Sequence, residues 1–297
     1  MDKQILAVDS GTSYRRAYLI DQQGQCLAEH EDGLRMLAVG GRERFRDALA
    51  LLCQNMGVAD HVPVVMSGMV GSASGWQEVD YLDSAVPVQH LPAHLAALQD
   101  PAWAGRCHIV PGYRYRSGVA VDVMRGEETQ LLGAVALGHR DGWLVLPGTH
   151  SKWVLLRDGL IQSLSTYMTG ELFAMLSAGG TLSAMMKGDA ADAEGYAIGL
   201  QQAARGEPLS NTLFRVRAGV VAKVAPASQA TAVVSGLLIG AEFTAAAHSV
   251  AAGSGITVIG SPALAQRYAQ AASHFKLPCT VLDPHHVYRA AAQQFFL

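Results

Sequence analysis

Two short turns of similar composition carry most of the chemistry that this 297-residue sequence offers. Asp9-Ser-Gly-Thr-Ser13 follows the apolar run Gln4–Val8, and Pro147-Gly-Thr-His-Ser-Lys-Trp153 follows Trp143–Leu146. Glycine lets backbone N–H groups come close to a phosphate, and a threonine hydroxyl adds a donor. Gly11, Thr12 and Ser13 in the first turn, with Gly148 and Thr149 in the second, are therefore candidates for holding phosphate oxygens. Asp9 suits Mg²⁺, usually through water, because this ion dehydrates reluctantly. Lys152 is a candidate for neutralising phosphate charge, and His150 and Ser151 read as positioning donors, since no GxSxG elbow or partnered acid accompanies them. Either turn alone would read as an ordinary turn sequence.

The turns need strands to hold them. Gln4–Val8 reads as a short buried strand and Arg16–Ile20 as its hairpin partner, closed by the turn Asp21–Gly24. The second half repeats this design at an offset of 137 residues, placing Gly11-Thr12 on Gly148-Thr149, Arg15 on Lys152 and Asp21 on Asp158. A repeat near half the chain length predicts two domains of common design whose turns face each other and grip a polyphosphate. Helices are expected over 42–56, 127–138, 228–252 and 286–296. Strands are expected over 62–66, 143–146, 154–156, 256–259 and 280–283. Pro262 starts a further helix. Residues 67–76 form a glycine- and serine-rich loop, and 77–120 are turn-rich without a clear element. Strands alternating with helices give an α/β class with mixed sheets.

Length and composition narrow the function. The chain fits two domains of roughly 150 residues, and half its residues are apolar. A net charge of −3 gives no general attraction for nucleic acid or anionic membrane. Cys26, Cys53, Cys107 and Cys279 form no CxxC pair, which fits a reducing cytoplasm rather than a disulfide framework or a zinc site. The N-terminal residues enter a strand with no apolar secretory core. The longest uncharged apolar stretch, 231–241, is shorter than the roughly 20 residues that span a bilayer. A soluble cytoplasmic protein is expected. GxxxxGK[ST] is missing from the sequence, which excludes a P-loop kinase, and Gly253-Ser-Gly255 does not extend to a dinucleotide fingerprint.

Glu127 and Glu128 open the helix that follows Met124-Arg-Gly126. Acids in a first turn favour the helix dipole. One of them could equally orient a hydroxyl or water for in-line attack on phosphorus. The residue pattern leaves both readings open.

Asp9-Ser-Gly-Thr-Ser13 resembles the first phosphate loop of the actin, hexokinase and heat-shock-chaperone ATPase superfamily. Gly148-Thr149 is similar to its second phosphate loop, and Val258-Ile-Gly-Ser261 to its adenosine loop. Within that superfamily, five segments resemble the 2-dehydro-3-deoxygalactonokinase family. They are Val65–Ser72 with Gly75-Trp76, Val123–Ala134, Pro147–Val154, Met168–Leu172 and Ser235–Glu242. The resemblance implies two ribonuclease-H-like domains, each a mixed five-stranded sheet with flanking helices, on either side of an interdomain cleft. They are expected over 1–138 and 139–297, with helices 127–138 and 286–296 at the domain interface. It also implies transfer of the ATP γ-phosphoryl group to the 6-hydroxyl of 2-dehydro-3-deoxy-D-galactonate, with Mg²⁺ as cofactor.

Carried onto this chain, the resemblance gives Asp9 the metal and Thr12, Ser13 and Thr149 the phosphate oxygens. Lys152 or Arg15 would neutralise charge, and Gly260 and Ser261 would meet the adenosine. Gly68, Met69, Gly71, Ser72, Trp76, Arg125 and Trp153 would bind the sugar acid. Leu146 stands where the superfamily often has a second acid, so the base is sought elsewhere. Gly126-Glu-Glu128 resembles the Gly-x-Glu-Glu motif of exopolyphosphatases and points to Glu128, with Glu171 as its competitor. The same motif motivates an alternative reading as a phosphoanhydride hydrolase. A kinase for the gluconate epimer and a nucleotide-dependent sensor are further alternatives. Oligomeric state stays open, with a homodimer allowed.

Overall fold

The computed structural model describes residues 3–11, 14–33, 42–246, 250 and 254–296. Contacts divide the chain into two units, one of residues 1–142, 154–164 and 283–297, the other of 143–153 and 165–282. This division differs from the sequence boundary, because 154–164 and 283–297 return to the first unit.

In the first unit a six-stranded sheet has the order β3-β2-β1-β4-β7-β6. Its strands are β1 (Gln4–Ser10), β2 (Arg15–Asp21), β3 (Cys26–Asp32), β4 (Val64–Gly68), β6 (Ala96–Ala97) and β7 (Cys107–Ile109). β1 pairs antiparallel with β2 and parallel with β4. One sheet face carries Leu6, Val8, Ala17 and Leu19, packed with Phe45, Leu49 and Leu52 of helix α1 (Arg42–Asn55). Strand alternation sends Asp9, Arg16 and Tyr18 to the opposite face. There Tyr18 packs against Tyr288 of α8 (Pro284–Gln293).

Residues 77–120, left blank by the sequence pattern, supply β6 and β7 and much of a three-stranded sheet of order β5-β8-β9. It comprises β5 (Leu82–Asp83), β8 (Tyr113–Ser117) and β9 (Ala120–Met124). The first unit thus has a six-stranded and a three-stranded sheet where one five-stranded sheet was expected. β9 leads into α2 (Glu127–Ala136), two residues shorter than expected.

The second sheet has the order β12-β11-β10-β13-β14, with β10 (Gly142–Leu146), β11 (Ser151–Arg157), β12 (Leu160–Tyr167), β13 (Ile256–Ile259) and β14 (Cys279–Leu282). Its order through β13 matches that of β3-β2-β1-β4. Helices α3 (Thr169–Ala178), α4 (Ala193–Ala203), α5 (Leu209–Val221), α6 (Ala230–Ala246) and α7 (Pro262–His274) belong to the second unit. The helix around α6 is long and apolar enough to cross a membrane by composition, yet 72% of its apolar window is buried.

Helix α2 lies against α8 at Gly133, where an added Cβ would run into the carbonyl oxygen of Val287. Alanine favours an exposed helix by about 1 kcal/mol over glycine, but overpacking a tight contact costs about 1–3 kcal/mol. Steric cost wins here because the neighbour is backbone. Gly133→Ala should lower unfolding free energy by about 1–2 kcal/mol, read as a lower urea midpoint; a raised midpoint would contradict this packing.

Candidate active site

Asp9, one residue before the end of β1, lies beside Ser67 of the parallel strand β4, and carboxyl ends of parallel strands are where α/β sheets bind ligands. Backbone contact closes this edge. Gly68 has φ +85°, and a Cβ on it would lie 2.5 Å from the carbonyl oxygen of Ser10. Gly126, with φ +113°, approaches Gly68 less closely, since its Cβ would lie 3.3 Å from the Gly68 Cα. The ends of β1 and β4 and the start of α2 therefore meet, and acids collect there. Burial raises the Asp9 pKa to about 6, with Arg16 opposing and Glu127 adding to the rise. Ser67 is buried, and its Oγ lies 3.0 Å from the Tyr288 hydroxyl.

Glu128 is fully buried. Its Oε2 accepts from the Gly126 N–H at 2.6 Å, so the carboxyl folds back on its own helix terminus. Its Oε1 has no hydrogen-bond partner. Burial, then the Glu127 carboxylate, pushes its pKa up to about 8, against the lowering effect of backbone N–H groups. One Glu128 oxygen thus satisfies the helix start and the other is uncommitted.

Arg125 is held by a bond from Nη2 to the Val79 carbonyl at 2.6 Å and by its guanidinium stacking 4.2 Å over the Tyr81 ring. Its Nε and Nη1 are buried without partners. Gly71 makes room for it, since a Cβ there would lie 2.9 Å from Nη1. Such an arginine can take a carboxylate. In the adjoining loop, Ser72 Oγ is used locally, donating to the Met69 carbonyl at 2.8 Å, and Met69 packs against the core.

Three sequence assignments need correction. Trp76 is 3% exposed and stacks on Phe45 in the core, so it does not bind substrate. Trp153 is 1% exposed, donates Nε1 to Glu242 and packs on Phe243; it too is structural. Arg15 points to the α1 face, donating to Asp32 at 2.5 Å and to the Ala48 carbonyl at 3.0 Å, and is not a phosphate ligand. Arg16, which the sequence reading passed over, is the residue paired with Asp9. Period-two alternation from Asp9 was the signal for it. Thr12 and Ser13 lie outside the described residues.

In the second unit, Gly148 has open space around it and Thr149 and His150 are exposed. Helix α3 starts against this turn. Gly170 leaves room for the Gly148 carbonyl, and Glu171 donates its N–H to the Thr149 carbonyl at 3.0 Å. The Glu171 carboxylate lies 2.6 Å from His150 Nε2. Lys152 is buried, with Nζ donating to Thr166 Oγ1 at 3.0 Å. Ser151 is wholly buried, so it is no exposed nucleophile. A cavity of about 70 Å³ beside the turn is lined by Gly148, Thr169, Ser235, Leu264, Arg267 and Tyr268, among others. Gly260 brings β13 close to Pro147, and Ser261 caps α7, which carries three of those lining residues. Glu242 was quoted in a sequence motif but given no role; it binds Ser151, Trp153 and Tyr268.

Among the described residues no cluster of three metal-ligating side chains occurs. One carboxylate beside phosphates nevertheless suits Mg²⁺, which keeps several waters. Asp9 fits: its charged form is disfavoured by burial and Glu127, and a cation would relieve both.

An acid and a glycine edge in one unit, with a Gly-Thr turn beside a cavity in the other, are the equipment of a phosphotransferase. The chain belongs to the 2-keto-3-deoxy-galactonokinase family, whose match runs over residues 9–294. It is 34% identical to a probable 2-dehydro-3-deoxygalactonokinase of Rhizobium meliloti (strain 1021), covering 96% of this chain and 94% of the relative. It is 33% identical to the 2-dehydro-3-deoxygalactonokinase of Escherichia coli (strain K12), covering 91% and 90%. The crystal structure of a putative 2-dehydro-3-deoxygalactonokinase protein from Sinorhizobium meliloti superposes with a TM-score of 0.88 at 32% identity, covering 97% of this chain and 96% of that one.

The buried Glu128 makes stability depend on pH. Its folded pKa of about 8 lies above the ordinary 4.5, so its contribution is full below pH 4.5 and is lost as pH rises through 8. Glu128→Gln cannot ionise and escapes that loss. The melting temperature of the variant minus that of the native protein, in metal-free buffer, should climb steadily from about pH 5 to about pH 9. A flat difference would show that Glu128 titrates normally.

Proposed function

We propose that this protein is an ATP-dependent sugar-acid kinase, transferring the γ-phosphoryl group to the 6-hydroxyl of 2-dehydro-3-deoxy-D-galactonate. The observation that carries the reading is the family match over residues 9–294, which includes every residue named in the candidate site. The repeated strand order 3-2-1-4 supports two ribonuclease-H-like units.

Asp9 would hold Mg²⁺ through water, and the ion would neutralise charge on the β- and γ-phosphates. Thr12, Ser13 and Thr149 would donate to phosphate oxygens, and Lys152 would offset their charge. The cavity lined by α7 and Thr169 would take the rest of the nucleotide, with Gly260 and Ser261 at its helix terminus. Arg125 would take the substrate carboxylate through its unpartnered Nη1, which Gly71 gives room.

Glu128 is assigned to the acceptor hydroxyl. A buried polar atom without a partner is rare in folded proteins and calls for a reason. A base is most effective when its pKa lies near the working pH, and about 8 meets that condition. The proton would pass from O6 to Glu128 Oε1 as phosphorus moves from the ADP leaving oxygen to O6. Glu171 is less suited because His150 already engages its carboxylate.

ADP release measured with a coupled assay tests the reading. Release should require the galactonate-derived acceptor, and should fall to background without acceptor. Equal release with that acceptor, with its gluconate epimer and with none would mean hydrolysis and would end the kinase reading.

A further inference from the structure

The second unit holds a buried carboxylate that the scheme above does not use. Glu242 is 1% exposed and sits in α6, whose sequence ATAVVSGLLIGAEFTAA is otherwise uncharged. An ionisable group there costs desolvation that leucine would not, and burial pushes its pKa up. Donors from separate elements offset that cost. Ser151 Oγ and Trp153 Nε1, alternate residues of β11, each donate to Oε2 at 2.9 Å. The Tyr268 hydroxyl of α7 donates to Oε1 at 2.6 Å, and the Thr169 hydroxyl at the start of α3 also bonds the carboxylate.

These donors converge on the turn and its cavity. Ser151 is two residues past Thr149 in the chain, and its oxygen lies 3.1 Å from that of Tyr268. Thr169 and Tyr268 line the cavity together with Gly148. Helix α6 is itself fixed, because Gly199 of α4 allows such close contact with the Val233 carbonyl that a Cβ would not fit. One carboxylate therefore ties β11, α3 and α7 to a helix that cannot slide.

We propose that Glu242 is a positioning residue for nucleotide binding, fixing the Gly148–Ser151 turn against the cavity wall so that its donors are in place before the nucleotide arrives. The proposal rests on the assignment of that turn and cavity to the nucleotide. Preorganised donors avoid an ordering cost on binding. Gln at 242 would remove the charge and replace one acceptor by an N–H₂, so Tyr268 could no longer donate to it and the charge-assisted bonds would be lost even though size is kept.

Calorimetric titration of MgADP into native protein, Thr149→Val, Glu242→Gln and Tyr268→Phe tests this, with melting temperatures recorded alongside. Glu242→Gln should weaken ADP binding about tenfold or more, the scale of one hydrogen bond to a charged group. Tyr268→Phe should weaken it about threefold, and the KM for the sugar acid should stay within about twofold. A merely structural role would lower the melting temperature and the active fraction while leaving the ADP Kd of folded protein unchanged, and that result overturns the proposal. Weakening by Thr149→Val with none by Glu242→Gln or Tyr268→Phe defeats the proposal alone. No ADP binding by native protein, or none of the variants weakening it, defeats the nucleotide assignment itself. If Glu242→Gln does not fold, Ser151→Ala and Tyr268→Phe carry the test, and unchanged affinity in both overturns it.

Discussion

The close backbone approach at Gly68 is the constraint on which the candidate site depends. A left-handed residue whose missing Cβ would meet the Ser10 carbonyl brings the ends of β1 and β4 together. Gly126 repeats the approach from the other side and sets the start of α2 against the same edge. Asp9 and Glu128 are then buried at this edge with the Glu127 carboxylate beside them, and the raised pKa values of Asp9 and Glu128 follow from it. Any side chain at 68 would be strained in φ and would also push the strand ends apart. The raised pKa values at this edge are therefore a consequence of two glycines as much as of the acids.

Among the described residues each unit buries one glutamate, and the protein treats the two differently. Glu242 has both oxygens engaged by hydroxyl or indole donors. Such a satisfied network rigidifies its surroundings. Glu128 is anchored by one oxygen and leaves the other unpaired, which costs stability and keeps a proton acceptor in reserve. The contrast in hydrogen-bond satisfaction, rather than sequence context, is what supports the proposal of Glu242 for positioning and Glu128 for the acceptor hydroxyl.

The neighbouring strand pairs β1–β2 and β10–β11 were legible in the sequence because a local strand–turn–strand pattern specifies them. Glu128 was legible through its helix start and the glycine before it. Trp76, Trp153 and Arg15 were misread because residue type does not tell which side of the chain faces the core. Arg15 and Arg16 differ by one residue, and strand alternation puts them on opposite faces. Glu242 was passed over because its partners lie 26 to 91 residues away, beyond any local pattern. The hairpin of β8 and β9 hid in a charged stretch, although Tyr113 and Tyr115 alternate before Gly118, whose φ of +58° makes the turn.

The central claim is that the uncommitted oxygen of Glu128 receives the proton of the acceptor hydroxyl. Turnover of Glu128→Gln and Glu171→Gln at saturating ATP and sugar acid tests it most directly. Loss of a general base costs about 10²–10⁴ in rate, so Glu128→Gln should fall by about 10²-fold or more with the KM for ATP preserved, while Glu171→Gln stays within about tenfold of native. Near-native turnover by Glu128→Gln, with activity abolished in Glu171→Gln, would contradict the account and move the role to the glutamate beside His150.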